Sequence, residues 1–149
     1  LTCDWSSDVC SSDLCDALIT NEDIDNLRKS KPYVEGASII DLAETGASIT
    51  SRQFTLARDY LLCRLTLATG TRPGALNNVI LSDYETSRVS EGNRIILVPK
   101  HKRTKDGPAM LGMDPLMQKE MATYVSKIRP AFANPGEEKL CQRRQSRVP

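Results

Sequence analysis

The clearest hydrophobic pattern in the chain is helical, and it runs over residues 52–69. Apolar side chains recur there at spacings of three and four residues, at Phe54, Ala57, Leu61, Leu65 and Ala68. Further apolar residues fill most of the remaining circumference, which predicts a helix buried in the middle of its domain. Arg58, Asp59 and Arg64 are expected to mark the surface that stays in contact with solvent.

Two weaker helical patterns precede this segment. Thr20 and Asp23 have the spacing of a capping box, so residues 20–30 are predicted to form a short, exposed helix. Residues 33–45 fit one face of a second helix, which Gly36 and Gly46 are expected to interrupt or bound.

The pattern after residue 70 predicts a short helix, a loop and two strands. Residues 73–81 are predicted as a helix with its apolar side chains facing inward, and residues 82–93 as a polar loop. Residues 94–99, RIILVP, and residues 109–113 are predicted strands. The segment between them, KHKRTKDG, predicts the long basic tip of a β-hairpin.

A further amphipathic helix is predicted after the hairpin. Asp114 and Pro115 form a cap and a first-turn proline. Apolar residues then recur as far as Ile128, with Tyr124 on the core-facing stripe, and the helix is expected to end near Pro130. Together these elements predict an α+β, mainly α-helical domain with a small antiparallel β-hairpin.

The two ends of the chain differ from the part between them. Residues 4–14, DWSSDVCSSDL, match the translation of a common sequencing adapter, so residues 1–14 are expected to be a non-native segment without stable structure. Residues 15–138 are expected to form one partial domain with its own core. Residues 139–149 are predicted to be an irregular basic tail, which an out-of-frame reading would explain.

The composition of the chain limits the kinds of functional site that can be expected in it. The chain has 20 basic and 19 acidic residues; the first fourteen hold three acids and no base, which leaves 20 against 16 and a net charge of +4. That balance does not by itself indicate nucleic-acid binding. The cysteines outside residues 1–14 are far apart and lack CxxC spacing, so neither a metal site nor a disulfide framework is expected. No apolar run approaches the ~20 residues of a membrane span, and a reducing intracellular location is expected.

The turn TGTRP, residues 69–73, holds the first candidate for chemistry. Gly70 suits a helix C-terminus because it adopts positive φ without a steric penalty, and Pro73 suits the first position of a new helix. Arg72 is then expected beside unpaired helical N–H groups, where a guanidinium can hold a phosphate oxygen. The alternative is that Arg72 is a surface residue at an ordinary corner between two helices.

The hairpin tip holds the second candidate. Five basic or imidazole side chains lie within six positions: Lys100, His101, Lys102, Arg103 and Lys105. Such a tip can enter a groove of duplex DNA and contact phosphates, although an isolated basic run is also typical of a solvated loop. A lone histidine is neither a metal site nor half of a catalytic triad.

The order of these features resembles the catalytic domain of the tyrosine recombinases, the phage-integrase family, and especially its divergent, transposon-derived eukaryotic members. The resemblance depends on LATGTRPGALNNV, HKRTKDGPAML and SKIRP, and covers about residues 51–129. It implies double-stranded DNA as the partner, a homo-oligomer on DNA in the complete protein, a nuclear location in a eukaryote, and no metal or other cofactor. It also implies that Arg72 grips the scissile phosphate, and that a hairpin lysine protonates the leaving 5′-hydroxyl. Lys102 is the first choice for that lysine and Lys105 the second.

Three departures from the family pattern bear on activity. The family often carries an acid three positions after the turn arginine, where this chain has Ala75. The family's His-x-x-Arg pair and nucleophilic tyrosine come later in the domain; no histidine follows His101 here, and Tyr124 is too early to be the nucleophile. The strand that the family carries after Glu138 is not matched by LCQRRQSRVP.

The resemblance therefore predicts the N-terminal half of a recombinase catalytic domain, a DNA-binding fragment that does not complete cleavage and rejoining. One alternative is a domesticated, non-catalytic helical module that binds protein. Another is an unrelated small helical domain, which would lack the hairpin of residues 94–113. Because half of a split core exposes apolar surface, marginal stability or aggregation is also expected.

Overall fold

The computed structural model describes residues 19–71, 73–99, 107–133, 136 and 138–141. By the contacts within it, the chain divides into two compact units, Leu1–Ser30 and Lys31–Pro149. Residues 1–14, which the sequence predicts to be a non-native segment, lie outside the described residues.

In the first unit, helix α1 spans Asn21–Lys29 and begins with the predicted capping box. The Asp23 amide donates to the Thr20 hydroxyl at 3.1 Å, and the Thr20 amide donates to the Asp23 carboxylate at 2.8 Å. These bonds satisfy backbone donors that the start of a helix leaves unpaired. No residue of α1 is buried, which confirms the prediction of a short, exposed helix.

Helices α2 (Lys31–Glu44) and α3 (Ser51–Thr69) lie side by side in the second unit. The prediction that Gly36 interrupts the first of these helices is wrong, because Gly36 lies inside α2 and is buried. A Cβ at this position would be 2.5 Å from the Cβ of Tyr60 and 2.9 Å from the Leu56 carbonyl oxygen. The absent side chain lets the two helix backbones approach closely.

Helix α3 has the burial that its pattern predicts over most of its length: Phe54, Ala57, Leu61 and Leu65 are at most 2% exposed. Two details of the prediction are wrong. Ala68 is exposed near the end of the helix. The Arg64 side chain is only 16% exposed, because it contacts acidic side chains of a later helix.

Residues 73–93 contain more regular structure than their sequence pattern predicts. Helix α4 spans only Pro73–Leu76 and helix α5 spans Leu81–Glu85, where a single helix to residue 81 was expected. Strand β1, Arg88–Ser90, lies in the stretch predicted as a loop. A three-residue strand is too short for its alternation to be recognised in the sequence.

The segment between α4 and α5 contacts the far end of the chain. Ile80 and Lys139 form an isolated antiparallel bridge, and the Leu140 amide donates to the Val79 carbonyl at 2.9 Å. Leu140 is 1% exposed. Within the described residues 138–141, a single bridge therefore takes the place of a strand.

The sheet is antiparallel, with the strand order β1-β2-β3. Strand β2 spans Asn93–Val98 and strand β3 spans Ala109–Met113, which confirms the predicted hairpin. Strand β1 adds a third strand beside β2. Alternate side chains of β2 and β3 form a buried inner face, in which these residues are at most 1% exposed: Ile96, Val98, Leu111 and Met113.

The last helical region begins at the predicted cap and passes through a π-helical turn. The Asp114 carboxylate accepts from the Met117 amide at 2.7 Å, and helix α6 spans Pro115–Thr123. A π-helix over Tyr124–Ile128 leads into helix α7, Arg129–Phe132. Pro130 has no N–H for an ordinary helical bond, and the wider turn directly precedes it. The helical region thus continues past Pro130, where it was expected to stop.

The buried side chains of the second unit form one core. The Phe54 ring on α3 stacks against the rings of Tyr124 and Phe132, at centroid distances of 6.0 and 4.9 Å. Residues of α2, α3, the inner sheet face and α6 complete this core. The fold is α+β and mainly helical, with a small three-stranded antiparallel sheet.

Candidate nucleic-acid interface

The end of α3 has the geometry that the TGTRP turn predicts. Gly70 is left-handed, with φ of 62°, and its amide donates to the Thr66 carbonyl at 2.9 Å. The Thr71 amide donates to the Thr69 hydroxyl at 3.2 Å. Helix α4 begins at Pro73. The chain therefore ends one helix and starts the next within a few residues, as predicted.

Arg72 itself lies outside the described residues, so its role at a phosphate stays a prediction. Among the described neighbours, α3 ends at Thr69 and α4 begins at Pro73. Three positions further on, Ala75 is 7% exposed. An acid at position 75 would therefore be largely buried.

The basic tip of the hairpin also lies outside the described residues: Lys100, His101, Lys102, Arg103 and Lys105. The base from which it extends is described, and Val98 pairs there with Ala109. The Val98 side chain is fully buried. Helix α3 contacts both β3 and α4, so the hairpin base and the Gly70 turn belong to one unit. That Arg72 and Lys102 converge on one phosphate stays a prediction.

A cluster of polar side chains joins α3 to α6. Its arginine, Arg64, lies six residues before Gly70. One Arg64 nitrogen donates to the Glu120 carboxylate and, at 3.1 Å, to the Tyr60 hydroxyl. The Tyr60 hydroxyl donates to the other Glu120 oxygen at 3.0 Å, and a carboxylate oxygen of Asp114 lies 3.8 Å from Arg64 Nη2. Because the Arg64 and Glu120 side chains are only 16% and 14% exposed, the cluster holds the two helices together in a largely dry environment.

The partners of Arg64 in this cluster stabilise its positive charge. Burial by itself would lower the pKa of Arg64, but the Tyr60 hydrogen bond and the Glu120 charge raise it above its ordinary value. Burial raises the pKa of Tyr60 to about 12. The sequence did contain a signal for this cluster, because Tyr60 and Arg64 are four residues apart on an otherwise apolar helix.

Near the C-terminal end of the described chain, Tyr124 and Arg129 are buried and Cys141 is partly buried. Tyr124 is fully buried, burial raises the pKa of its hydroxyl, and that hydroxyl has no hydrogen-bond partner in the described part of the chain. Burial also raises the pKa of the Cys141 thiol to about 12, which keeps it protonated. Arg129 is 8% exposed and donates to the Lys139 carbonyl at 3.3 Å. Tyr124 is thus a core residue, as its position on the apolar stripe predicts.

Over the described ranges, no group of three or more His, Cys, Asp or Glu side chains is arranged to hold a metal ion. Within those same ranges, no helix combines the length and the apolar character that a membrane span needs. Comparisons of the chain with protein-family models, with curated proteins and with solved structures gave no match.

Proposed function

We propose that this chain is a DNA-binding fragment of a protein related to the tyrosine recombinases, in which Arg72 and Lys102 contact the DNA backbone. The observation that supports this proposal most directly is the presence of two scaffold elements in one unit. These are the sharp turn at Gly70 between α3 and α4, and the β2–β3 hairpin that carries the basic segment. Helix α3 contacts both. An unrelated helical domain would not be expected to contain the hairpin.

The chemistry assigned to these residues follows from the reaction of the proposed parent protein. Attack on a phosphodiester builds negative charge on the non-bridging oxygens, and a guanidinium such as Arg72 can bind two of them. The leaving 5′-oxygen needs a proton from an acid beside it, the role proposed for Lys102. A tyrosine hydroxyl would form the covalent link in the complete protein. Tyr124 is fully buried and is not available for this role. The resemblance puts the nucleophilic tyrosine later in the domain, so this fragment is proposed to bind DNA without cutting it.

Binding to a mixed-sequence DNA duplex across a salt series tests the proposal. We expect the logarithm of the affinity to fall linearly with the logarithm of salt concentration, with a slope of about 0.9 for each phosphate contacted. The double variant Arg72→Ala/Lys102→Ala is expected to reduce that slope by about two contacts.

The matched control is Lys29→Ala/Arg52→Ala, which removes the same two residue types from exposed positions on α1 and α3. This control is expected to change the salt slope less than Arg72→Ala/Lys102→Ala does. Affinity that does not respond to salt, or that is equal in the Arg72/Lys102 variant and the control, would refute the proposed contacts. A covalent protein–DNA product on a denaturing gel would refute the proposed lack of cleavage.

A second candidate is a non-catalytic module that binds protein. It is favoured by exposed apolar side chains on the outer sheet face, where Ile95, Leu97 and Met110 are 38%, 44% and 68% exposed. Sequencing of the transcript separates the two proposals. A transcript that continues into a His-x-x-Arg pair and a late tyrosine supports the recombinase parent, and one that ends here supports the module.

A further inference from the structure

The hairpin between β1 and β2 determines which N–H and C=O groups of β1 face β2 and which face away from it. Its two-residue turn consists of Glu91 and Gly92, with φ of 51° and 79°. Two positive φ values are typical of the turn that fits the right-handed twist of paired strands. Ser90 and Asn93 form the pair that closes the turn, and the pairing continues to Arg88 and Ile95.

Successive residues of an antiparallel strand direct their N–H and C=O groups alternately toward and away from the neighbouring strand. Since Ser90 closes the turn, the backbone groups of Ser90 and Arg88 face β2. Those of Val89, between them, therefore face the open edge of the sheet. Val89 is 57% exposed, and its peptide groups have no hydrogen-bond partner among the residues that the structure describes.

The two outer strands of the sheet differ in their surroundings. Strand β3 contacts helices α3 and α6. Strand β1 is the other outer strand, and each of its three residues is exposed. An outer strand with free backbone groups is a template for pairing with another strand.

We propose that β1 pairs antiparallel with β1 of a second copy of this chain, centred on Val89. Because Val89 is the middle residue of the strand, a two-fold axis at this point lets each Val89 N–H donate to the other Val89 carbonyl. The two three-stranded sheets then form one six-stranded sheet. A strand of three residues makes few such bonds, so the dimer is weak and depends on protein concentration.

The charges at the two ends of β1 favour a second copy in the antiparallel direction. Arg88 begins the strand and Glu91 follows it, and in the described part of the chain neither forms a salt bridge. An antiparallel arrangement brings the Arg88 end of each copy to the Glu91 end of the other. A parallel arrangement would bring like charges together, which opposes association.

Sedimentation equilibrium of the full chain at increasing concentration, without DNA, tests the proposal. The unaltered chain is expected to dimerise reversibly. Val89→Pro removes the outward N–H without removing a bond to β2 and is expected to raise the dissociation constant at least about tenfold. Val89→Thr keeps the N–H and the β-branched shape, and it is expected to dimerise as the unaltered chain does.

An exchange of the charges at positions 88 and 91 tests the dimer even if Val89→Pro disturbs the β1–β2 hairpin. Arg88→Glu alone and Glu91→Arg alone each bring like charges together in the dimer and are expected to weaken it. The double variant Arg88→Glu/Glu91→Arg is expected to restore it. A chain that stays monomeric at all concentrations, or a dimer that none of these changes affects, would overturn the proposal. The dimer needs no DNA, so failure of DNA binding leaves this result interpretable.

Discussion

Gly36 on α2 lies so close to Tyr60 on α3 that a Cβ at position 36 would be 2.5 Å from the Tyr60 Cβ. Real side chains do not approach so closely, and the backbone carbonyl of Leu56, at 2.9 Å, blocks the other direction. Helices α2 and α3 can therefore pack in this way only with glycine at position 36. This contact sets the separation of the two helices that precede the candidate turn at Gly70.

Gly36→Ala is expected to lower the free energy of unfolding by about 2 kcal/mol, since added volume in a close-packed contact forces the helices apart. Urea unfolding followed by circular dichroism measures the change. Gly112→Ala is the matched control, because a Cβ at position 112 meets no atom within 4 Å. Equal stability of the two variants would contradict the close contact at Gly36.

Arg64→Met is expected to lower the free energy of unfolding by about 3 kcal/mol, because it leaves the Glu120 carboxylate without its charged partner in a largely buried position. Arg28→Met removes a pair with Asp25 whose side chains are 57% and 60% exposed, and it is expected to cost less than about 0.5 kcal/mol. The double variant Arg64→Met/Glu120→Leu is expected to recover part of the loss. If Arg64→Met lowered the free energy of unfolding as little as Arg28→Met does, the cluster would not hold α3 to α6.

Tyr124→Phe is expected to leave stability unchanged or to raise it by about 1 kcal/mol, because it removes a buried hydroxyl without a partner among the described residues. Tyr60→Phe removes a hydroxyl that joins Arg64 to Glu120, and it is expected to cost about 1 kcal/mol. The two substitutions delete the same atom from two core-facing tyrosines, so each is the control for the other. A larger loss for Tyr124→Phe than for Tyr60→Phe would show that the Tyr124 hydroxyl is bonded.

Alkaline pH is expected to destabilise the fold through Tyr60. Its pKa is raised from 10.0 to about 12 in the folded chain, mainly by burial, so folding favours the protonated phenol. The contribution is fully present below pH 10 and is lost as the pH rises from 10 to about 12. Urea unfolding at a series of pH values measures this decline.

In Tyr60→Phe the alkaline decline in stability is expected to be shallower. Tyr33→Phe alters the ring that lies 4.8 Å from Tyr60 and is expected to keep the decline caused by Tyr60. A decline of the same steepness in Tyr60→Phe as in the unaltered chain would assign the pH dependence to other groups.

The elements predicted correctly from the sequence have strong local signals. The capping residues Thr20 and Asp114, the left-handed Gly70 and the alternation in β2 and β3 each depend on neighbours within a few positions. The features that the pattern does not predict have either too short a local signal or a distant partner. Strand β1 is only three residues long, although its partner β2 is close in sequence, and Ile80 pairs with the distant Lys139. Arg72 and Lys102 are candidates because of their place in a motif, and their positions in space stay predictions.

The sequence by itself determined where most helices and strands begin and end and which faces are buried, because capping, turn geometry and apolar periodicity act over a few residues. Only the tertiary structure decided the role of Gly36 and the burial of Arg64. An arginine in a helix looks the same in sequence whether water or a carboxylate from a distant helix surrounds it. Tertiary packing brought Glu120 to Arg64 and Tyr60 to Gly36, and contacts between residues so far apart in the chain leave no periodic pattern.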